Sequence, residues 1–350
     1  MYYIGIDLGG TNIKGALVSE TGEITREVSR PTRVELGAEA VCDGIAAVIT
    51  ELSSGVDRTS LGGVGLGCPG TVDDETGRVL YANNLGWKNF DLRAAVKSRT
   101  DFDLRIGNDA NVAALAEALV GCAKGAQSAV IVTLGTGVGG GVVLDGKMLT
   151  GYTGAASELG HMVIRAGGEE CTCGRRGCFE AYASATALIR ETKRAMAAHP
   201  ESRMHAAAEE NGAVDGRTAF IAAQRGDAAA QAVVDRYLDD LACGVANIVN
   251  IFFPEVIALS GGVANQGDAL LVPLRERVRA LSYGSRYAVR HTRIELCSAT
   301  ARASSARRCW RSRAERKNRT MVRRAAAAAA ALLAAPDDEI YPAALAAASP

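Results

Sequence analysis

One pattern occurs twice in this chain and constrains its fold more than any other feature: a strand, a glycine-rich turn and a second strand. In the first copy YYIGID and IKGALVS flank the turn GGTN, and the second copy lies in SAVIVTLGTGVGGGVVLDG. Segments with apolar residues at helical spacing follow the copies. Strand units that alternate with helices predict an α/β fold, and the duplication predicts two related domains.

The remaining elements fit this architecture. Predicted helices cover about 37–54, 92–98, 111–120, 183–198, 217–224 and 227–250, and buried strands lie in LGGVGLGCPG, LRIGND and PEVIALSGGVA. A chain of 350 residues is long enough for two domains with separate cores. We place the boundary near residue 112, which gives a small α/β domain over 1–112 and a large one over 113–298.

Composition narrows the class of protein. Hydrophobic residues make up 48% and charged residues 22%, with no uncharged apolar stretch of about 18 residues, so no membrane partner is expected. The chain begins directly with a strand rather than a leader, which favours the cytoplasm. The net charge is zero, but residues 302–324 carry ten Lys/Arg and one Glu. The rest is therefore acidic, and we expect no nucleic-acid partner for it.

The two glycine turns are candidate phosphate sites. In DLGGTN (Asp7–Asn12), residues without bulky side chains let backbone N–H groups approach an anion, although glycines also occur in hairpins for geometry alone. LGTGVGGG (Leu134–Gly141) repeats the pattern, and each turn carries a hydroxyl residue, Thr11 or Thr136. Together the two turns predict a nucleoside triphosphate held between domains.

Two other phosphate motifs are excluded. GLGCPG (Gly65–Gly70) matches G-x-G-x-x-G, but the turn TVDDETGRV follows it, whereas the dinucleotide fingerprint requires a helix. No G-x-x-x-x-G-K-[ST] sequence occurs, so a P-loop is not predicted.

GNDANVAA (Gly107–Ala114) places an Asn-Asp pair at the end of a strand and before a helix. Asn and Asp are favoured helix N-caps, which is the simpler interpretation. A carboxylate at the carboxyl end of a strand in an α/β protein is also well placed to act as a general base.

Three cysteines lie within eight residues, in CTCGRRGC. Cys171, Cys173 and Cys178, with His161 ten residues before the first of them, form a set of four ligands suited to tetrahedral Zn²⁺. A disulfide or three unliganded thiols are the alternatives. Because four protein ligands leave no open position, we expect a structural metal.

The motifs DLGGTN, CPG, GNDANVAA, LGTGVGGG, SELGH, CTCGRRGC and LSGGV, in this order, resemble the ROK family of sugar kinases and repressors, most closely its bacterial ATP-dependent glucokinases. The resemblance covers residues 1 to about 297. It implies the two-domain actin-like ATPase (ribonuclease H-like) fold, with the ligand cleft between domains.

The resemblance also implies roles for individual residues. Asp109 would be the catalytic base that takes the proton of the sugar 6-hydroxyl, and Asp7 would position Mg²⁺ through water. The implied ATP-binding residues are Asp7, Gly9, Gly10, Thr11, Asn12, Lys14, Gly135, Thr136, Gly137, Gly261 and Gly262. The implied sugar contacts are Asn83, Asn108, Asp109, Glu158, His161 and Glu180. His161 would serve twice, with one ring nitrogen on zinc and the other toward a sugar hydroxyl.

The expected activity is therefore ATP-dependent phosphorylation of glucose at the 6-hydroxyl, in a homodimer or homotetramer. A kinase for fructose, mannose or N-acetylmannosamine is one alternative, and a non-catalytic sugar-binding protein is another. Polyphosphate could replace ATP as the donor. The family's repressors carry a DNA-binding segment before the first glycine motif, and with Asp7 as the seventh residue we expect none.

The chain departs from the family near its end. The family closes with a helix of the type GIIGAALL, whereas residues 299–350 are Arg-rich and then Ala-rich. Read out of frame, codons for Arg302–Trp310 permit Gly-Ile-Ile-Gly-Ala-Ala-Leu-Leu, so we hypothesise a frameshift near 298–301 that leaves the small domain without its closing helix. A genuine basic, helical extension is the alternative.

Overall fold

The computed structural model describes residues 1–19, 24–119, 121–152, 154–283 and 291–297. The predicted aberrant tail from residue 299 lies outside them. The chain divides into two compact units. Apart from the residues that are not described, the first contains Met1–Gln127 and Gly141–Ser157, and the second contains Ser128–Gly140 and 158–297.

The first unit contains a five-stranded sheet with the order β3-β2-β1-β4-β8. Its strands are β1 (Tyr2–Leu8), β2 (Asn12–Ser19), β3 (Ile24–Pro31), β4 (Leu61–Cys68) and β8 (Leu104–Asn108). Strands β1, β4 and β8 run parallel, so their carboxyl ends meet at one edge. A small antiparallel sheet contains β5 (Thr71–Asp73), β6 (Arg78–Ala82) and β7 (Trp87–Asp91). The helices are α1 (Ala38–Ser53), α2 (Leu92–Lys97) and α3 (Asp109–Leu119).

Helix α1 covers this sheet with its apolar face. Ile45, Val48, Ile49 and Leu52 recur at helical spacing and are fully buried. A Cβ at Gly15 of β2 would overlap Val48, so the helix lies directly against the strand. Each such side chain stabilises the fold by about 1.5–3 kcal/mol relative to exposure.

The second five-stranded sheet has the order β11-β10-β9-β12-β13. Its strands are β9 (Ala129–Leu134), β10 (Val138–Leu144), β11 (Lys147–Met148), β12 (Val256–Ser260) and β13 (Arg293–Leu296). Strands β9, β12 and β13 run parallel. The helices of the second unit are α4 (Glu180–Ala183), α5 (Ala185–Ala198), α6 (Met204–Asn211), α7 (Thr218–Gln224), α8 (Ala228–Phe252) and α9 (Asp268–Leu281).

Helix α8 is the helix against which α5, α7 and α9 pack in the second unit. Asp227 caps it by accepting a hydrogen bond of 2.8 Å from the N–H of Ala230. Its buried residues, including Leu241, Val245 and Ile248, pack toward α5, α7 and α9. In the described part of the chain, no helix combines the length and apolarity that crossing a bilayer requires.

The two hairpins, the buried strands and the helices predicted from the sequence are present, which confirms the α/β class. The predicted domain boundary near residue 112 falls inside α3, whereas the compact units change over between Gln127 and Ser128. The reason is packing, because α3 buries Val112, Ala114 and Ala116 and lies against β4 and β8. The assignment of functional domains stays a prediction.

Candidate functional site

The first glycine turn joins β1 to β2 and is held by hydrogen bonds from both sides. The N–H of Gly9 donates to the carbonyl of Asn12 at 3.0 Å. Thr32 supports the turn from the end of β3, since its Oγ1 donates to Gly9 O at 2.6 Å and its N–H donates to Thr11 O at 2.9 Å. Gly10 at the tip is exposed. The backbone of this turn is therefore held in place by hydrogen bonds and exposed at Gly10.

Asp7 is the last polar residue of β1 before this turn, and Lys14 lies opposite it on β2. Burial raises the pKa of the Asp7 carboxyl, and the charge of Lys14 acts in the opposite direction. A bound cation stabilises the charged form of a carboxylate whose ionisation is opposed by burial. Asp7 thus suits a position next to a hydrated metal ion.

The Asn-Asp pair lies where β8 ends and α3 begins. Asn108 does the capping, because its Oδ1 accepts from the N–H of Ala110 at 3.0 Å and of Asn111 at 3.1 Å. Its Nδ2 donates to Gly70 O at 2.8 Å. Asp109 is exposed, and its Oδ1 accepts from the N–H of Ala110 at 2.9 Å. Asn108 thus caps the helix, and Asp109 stands exposed beside it.

Gly70 connects this pair to Asn83. It has a φ of +95°, and a Cβ there would overlap Tyr81 O and lie 2.8 Å from Ala82 Cα, so only glycine fits. Asn83 follows directly and accepts a hydrogen bond of 3.2 Å from the hydroxyl of Tyr81. Gly70 therefore contacts both the Asn108 side chain and the strand that leads into Asn83.

The second glycine turn follows β9 and lies against the start of α5. The N–H of Gly135 donates to Gly137 O at 3.0 Å and closes the turn. The N–H of Ala185 donates to Gly135 O at 2.8 Å, and Oγ1 of Thr186 donates to Thr136 O at 2.7 Å. Helix α5 thus fixes the position of this turn.

Gly261 and Gly262 follow β12, the strand beside β9. Gly261 has a φ of +91°, and a Cβ there would overlap Leu134 O and lie 2.6 Å from Leu134 C. The backbone after β12 therefore approaches the residue that precedes the Gly135 turn. The glycines predicted to bind ATP in this unit converge at the carboxyl ends of two parallel strands.

The cysteine cluster and His161 form a compact set of potential metal ligands. The ligand atoms of His161, Cys171, Cys173 and Cys178 all lie within 4.8 Å of one another. Cys171 Sγ is 3.6 Å from His161 Nδ1, and Cys173 Sγ is 3.7 Å from Cys178 Sγ. A tetrahedral zinc with ordinary bond lengths requires S···N of about 3.6 Å and S···S of about 3.8 Å. The spacing also exceeds the ~2 Å of a disulfide.

The surroundings favour the metal-binding thiolate form at Cys173 and the neutral thiol at Cys171. A hydrogen bond from the backbone of Arg175 lowers the pKa of Cys173 to about 6, and a thiolate is the form that binds metals. Burial raises the pKa of Cys171 to about 12. Arg175 Nη2 donates to His161 O at 2.8 Å, and the N–H of His161 donates to Glu158 O at 3.0 Å. The loop thereby also fixes the backbone at Glu158 and His161.

Glu180 lies next to both the second glycine turn and the segment from His161 to Cys178 that carries the potential metal ligands, called the metal loop below. Its Oε2 accepts a hydrogen bond of 3.0 Å from the N–H of Val138, and its Oε1 accepts one of 2.8 Å from Thr172 Oγ1. A Cβ at Gly137 would overlap Oε2. The absence of a side chain at Gly137 is therefore what makes room for the carboxylate.

The structure groups the predicted site residues within each unit. The first unit brings together the turn at Asp7–Asn12, Asn83 and the Asn108–Asp109 pair, and the second brings together Gly135–Gly137, Gly261, Glu180 and the four possible metal ligands. Two supporting residues were missed. Thr32 carries no sequence signal, whereas Thr172 stands inside the cysteine motif and could have been singled out.

Comparisons with known proteins agree with this arrangement. The family model "ROK family" matches residues 3–306. The glucokinase of Thermotoga maritima is 42% identical over 276 residues, which is 79% of this chain and 86% of that protein.

Two solved structures are similar to this chain. A ROK family glucokinase from Streptomyces griseus, in complex with glucose and AMPPNP, is 32% identical with a TM-score of 0.71, covering 85% of this chain and 94% of that one. A ROK hexokinase from Thermus thermophilus is 31% identical with a TM-score of 0.72, covering 95% and 98%. The predicted two-domain actin-like ATPase fold is confirmed.

Proposed function

This chain belongs to the ROK family, and from that premise we propose that it transfers the γ-phosphoryl group of ATP to the 6-hydroxyl of glucose. The products are glucose 6-phosphate and ADP. The observation that carries the proposal is the placement of Asp109 at the carboxyl end of β8, exposed and next to a capping Asn108. The glucokinases of Thermotoga maritima and Streptomyces griseus are similar over most of this chain.

In the proposed reaction, the Asp109 carboxylate accepts the proton of the sugar 6-hydroxyl. The sugar oxygen forms a bond to the γ-phosphorus while the bond from that phosphorus to the bridging oxygen of ADP breaks. Such a transfer needs mainly positioning and neutralisation of charge. Mg²⁺ bound with ATP supplies the neutralisation, and Asp7 would hold it through water.

The proposed ATP contacts are the two glycine turns. The backbone of Gly9–Thr11 and Gly135–Gly137 is proposed to surround the phosphates, with Asn12 and Lys14 beside the first turn. The N–H groups of Gly9 and Gly135 close the turns, so the donors to phosphate would be the other N–H groups of these segments. Gly261 lies next to Leu134, and Gly261 and Gly262 are proposed to flank the adenosine. The supports from Thr32 and α5 keep both turns in place before ATP arrives.

The proposed sugar contacts are Asn83, Asn108, Asp109, Glu158, His161 and Glu180. Zn²⁺ fits the set of one histidine and three cysteines, and when bound it would fix the loop that positions His161 and Glu180. The observed approach of His161 Nδ1 to Cys171 leaves Nε2 for a sugar hydroxyl. Losing one of these partners would leave a buried hydroxyl unpaired, which is why polar side chains give specificity.

Glucose is proposed as the preferred hexose, and phosphorylation of another hexose is the second candidate, because a ROK hexokinase is similar over 95% of this chain. A cytoplasmic homodimer or homotetramer remains our proposal for the assembly, to be checked by light scattering. In the test, the purified chain receives Mg²⁺·ATP with glucose, fructose, mannose or N-acetylmannosamine, and ADP release is followed. Polyphosphate is tried as an alternative donor.

The proposal predicts the highest kcat/KM with glucose and ATP, and a product that glucose 6-phosphate dehydrogenase oxidises. A higher kcat/KM for another hexose would move the assignment to the second candidate. Binding of glucose without release of ADP on any hexose would favour a non-catalytic sugar-binding protein.

A further inference from the structure

Glu180 accepts hydrogen bonds from three donors, which are a backbone N–H, a hydroxyl and a thiol. The N–H of Val138 at the start of β10 donates to Oε2 at 3.0 Å, and the hydroxyl of Thr172 donates to Oε1 at 2.8 Å. The thiol of Cys171 lies 3.5 Å from Oε1. The backbone donor is fixed by the strand, whereas the Thr172 hydroxyl depends on the residue chosen at that position.

We infer that Thr172 is a positioning residue that orients the Glu180 carboxylate for the sugar. This inference rests on the proposed function. The terminal torsion of a glutamate is broad and weakly restricted by its own chain. Donors on both oxygens fix the plane of the carboxylate. Each oxygen can accept about two hydrogen bonds, so Oε2, with Val138 as its donor, keeps one acceptor position for a sugar hydroxyl.

The position of Thr172 links this role to the metal loop. Thr172 stands between Cys171 and Cys173, two of the four potential ligands. The loop is closed around it, because the N–H of Cys171 donates to Arg175 O at 2.8 Å and the N–H of Gly174 donates to Cys171 O at 3.0 Å. A metal that holds the cysteines would therefore also hold the Thr172 hydroxyl against Glu180.

Thr172 itself is exposed, so removing its hydroxyl does not open a cavity in the core. Thr172→Val keeps the shape of the side chain and removes only the donor. Thr172→Ser keeps the donor and removes a methyl group. Glu170→Gln is the matched control, because it weakens an exposed ion pair with Arg176 in the same loop, 2.7 Å long, without touching Glu180.

The test measures steady-state kinetics, glucose affinity without ATP by calorimetry, and bound zinc. Because Thr172→Val loses one hydrogen bond to Glu180, we expect the KM and Kd for glucose to rise about 3- to 10-fold. The kcat, the KM for ATP and the zinc content should stay within about two-fold of the parent. Thr172→Ser and Glu170→Gln should behave as the parent.

Three results would overturn the inference: an unchanged glucose KM in Thr172→Val, failure of Thr172→Ser to restore it, or loss of zinc in parallel with the rise in KM. If the parent chain phosphorylates glucose and any of these occurs, the inference fails while the proposed function stands. If the parent chain neither binds nor phosphorylates any hexose, both fail.

Discussion

Replacing Gly177 with alanine should destabilise the metal loop, because a side chain has no space there. Gly177 has a φ of +84°, a conformation that costs a residue with a Cβ about 1–2 kcal/mol. The new Cβ would also overlap Arg165 O and lie 2.7 Å from Arg165 C. The backbone at Arg165 cannot easily move away, because the N–H groups of Ile164 and Arg165 both donate to Gly177 O. Relieving such an overlap costs about 1–3 kcal/mol, so the total loss should be about 2–5 kcal/mol.

Gly174 provides the matched control three residues earlier in the same loop. Its φ is also +84°, but among the described residues no atom lies within 4 Å of a Cβ placed there. Gly174→Ala therefore bears the backbone cost alone, about 1–2 kcal/mol. The difference between the two variants isolates the overlap with Arg165.

The assay is urea denaturation followed by circular dichroism, with zinc content measured after dialysis. We expect Gly177→Ala to unfold at lower urea than Gly174→Ala and to retain less zinc, because Cys178 is the next residue in the chain. Equal midpoints and equal zinc content would refute the reasoning that close backbone packing shapes this loop.

Three further predictions concern charge, metal and the end of the chain. Because burial raises the pKa of Asp7 above 3.8, the folded state binds this proton more tightly than the unfolded state, and ionisation lowers stability as the pH rises. In urea titrations, Asp7→Asn should therefore be more stable than the parent near pH 8 and lose that advantage toward pH 4, while its activity falls. A stability advantage that grew toward pH 4 would contradict the predicted direction of the pH dependence. Removal of metal with a chelator should release one zinc per chain and raise the glucose KM at least about ten-fold, because the residues that hold the sugar lose their support. Adding zinc again should restore the zinc content and the KM. Unchanged activity after a measured loss of zinc would contradict this prediction. Replacing residues 299–350 with the frame-restored tail should raise the midpoint of thermal unfolding and the activity, and equal values for both tails would argue for a genuine extension.

The glycine turns and the cysteine motif could be predicted because their chemistry is local. A turn such as DLGGTN carries its conformational requirement in its own residues, and three cysteines in eight residues have few uses. The elements missed were the helices α6 and α9, although α9 carries apolar residues at helical spacing, and strands whose sequence carries no clear period. Strand β3, ITREVSRP, is mostly polar and lies at the edge of its sheet, and β5–β7 are short strands with exposed residues.

Tertiary support was also beyond the sequence. The hydrogen bond from Thr32 to Gly9 O joins residues 23 positions apart, and no pattern in the chain marks it. The sequence left helix capping and general-base catalysis as alternatives for GNDANVAA. The structure assigns the capping to Asn108 and leaves Asp109 exposed. Catalysis by Asp109 and zinc at the cysteine cluster stay predictions.

The kcat of Asp109→Asn shows whether Asp109 is the base in phosphoryl transfer to glucose. The matched control is Asp103→Asn, which removes an exposed carboxylate just before β8. The assay is run on the chain and again with the frame-restored tail. We expect Asp109→Asn to lower kcat by about 10²- to 10⁴-fold while glucose still binds, and Asp103→Asn to keep the parent kcat. A parent-like kcat in Asp109→Asn, in a chain that phosphorylates glucose, would contradict this expectation.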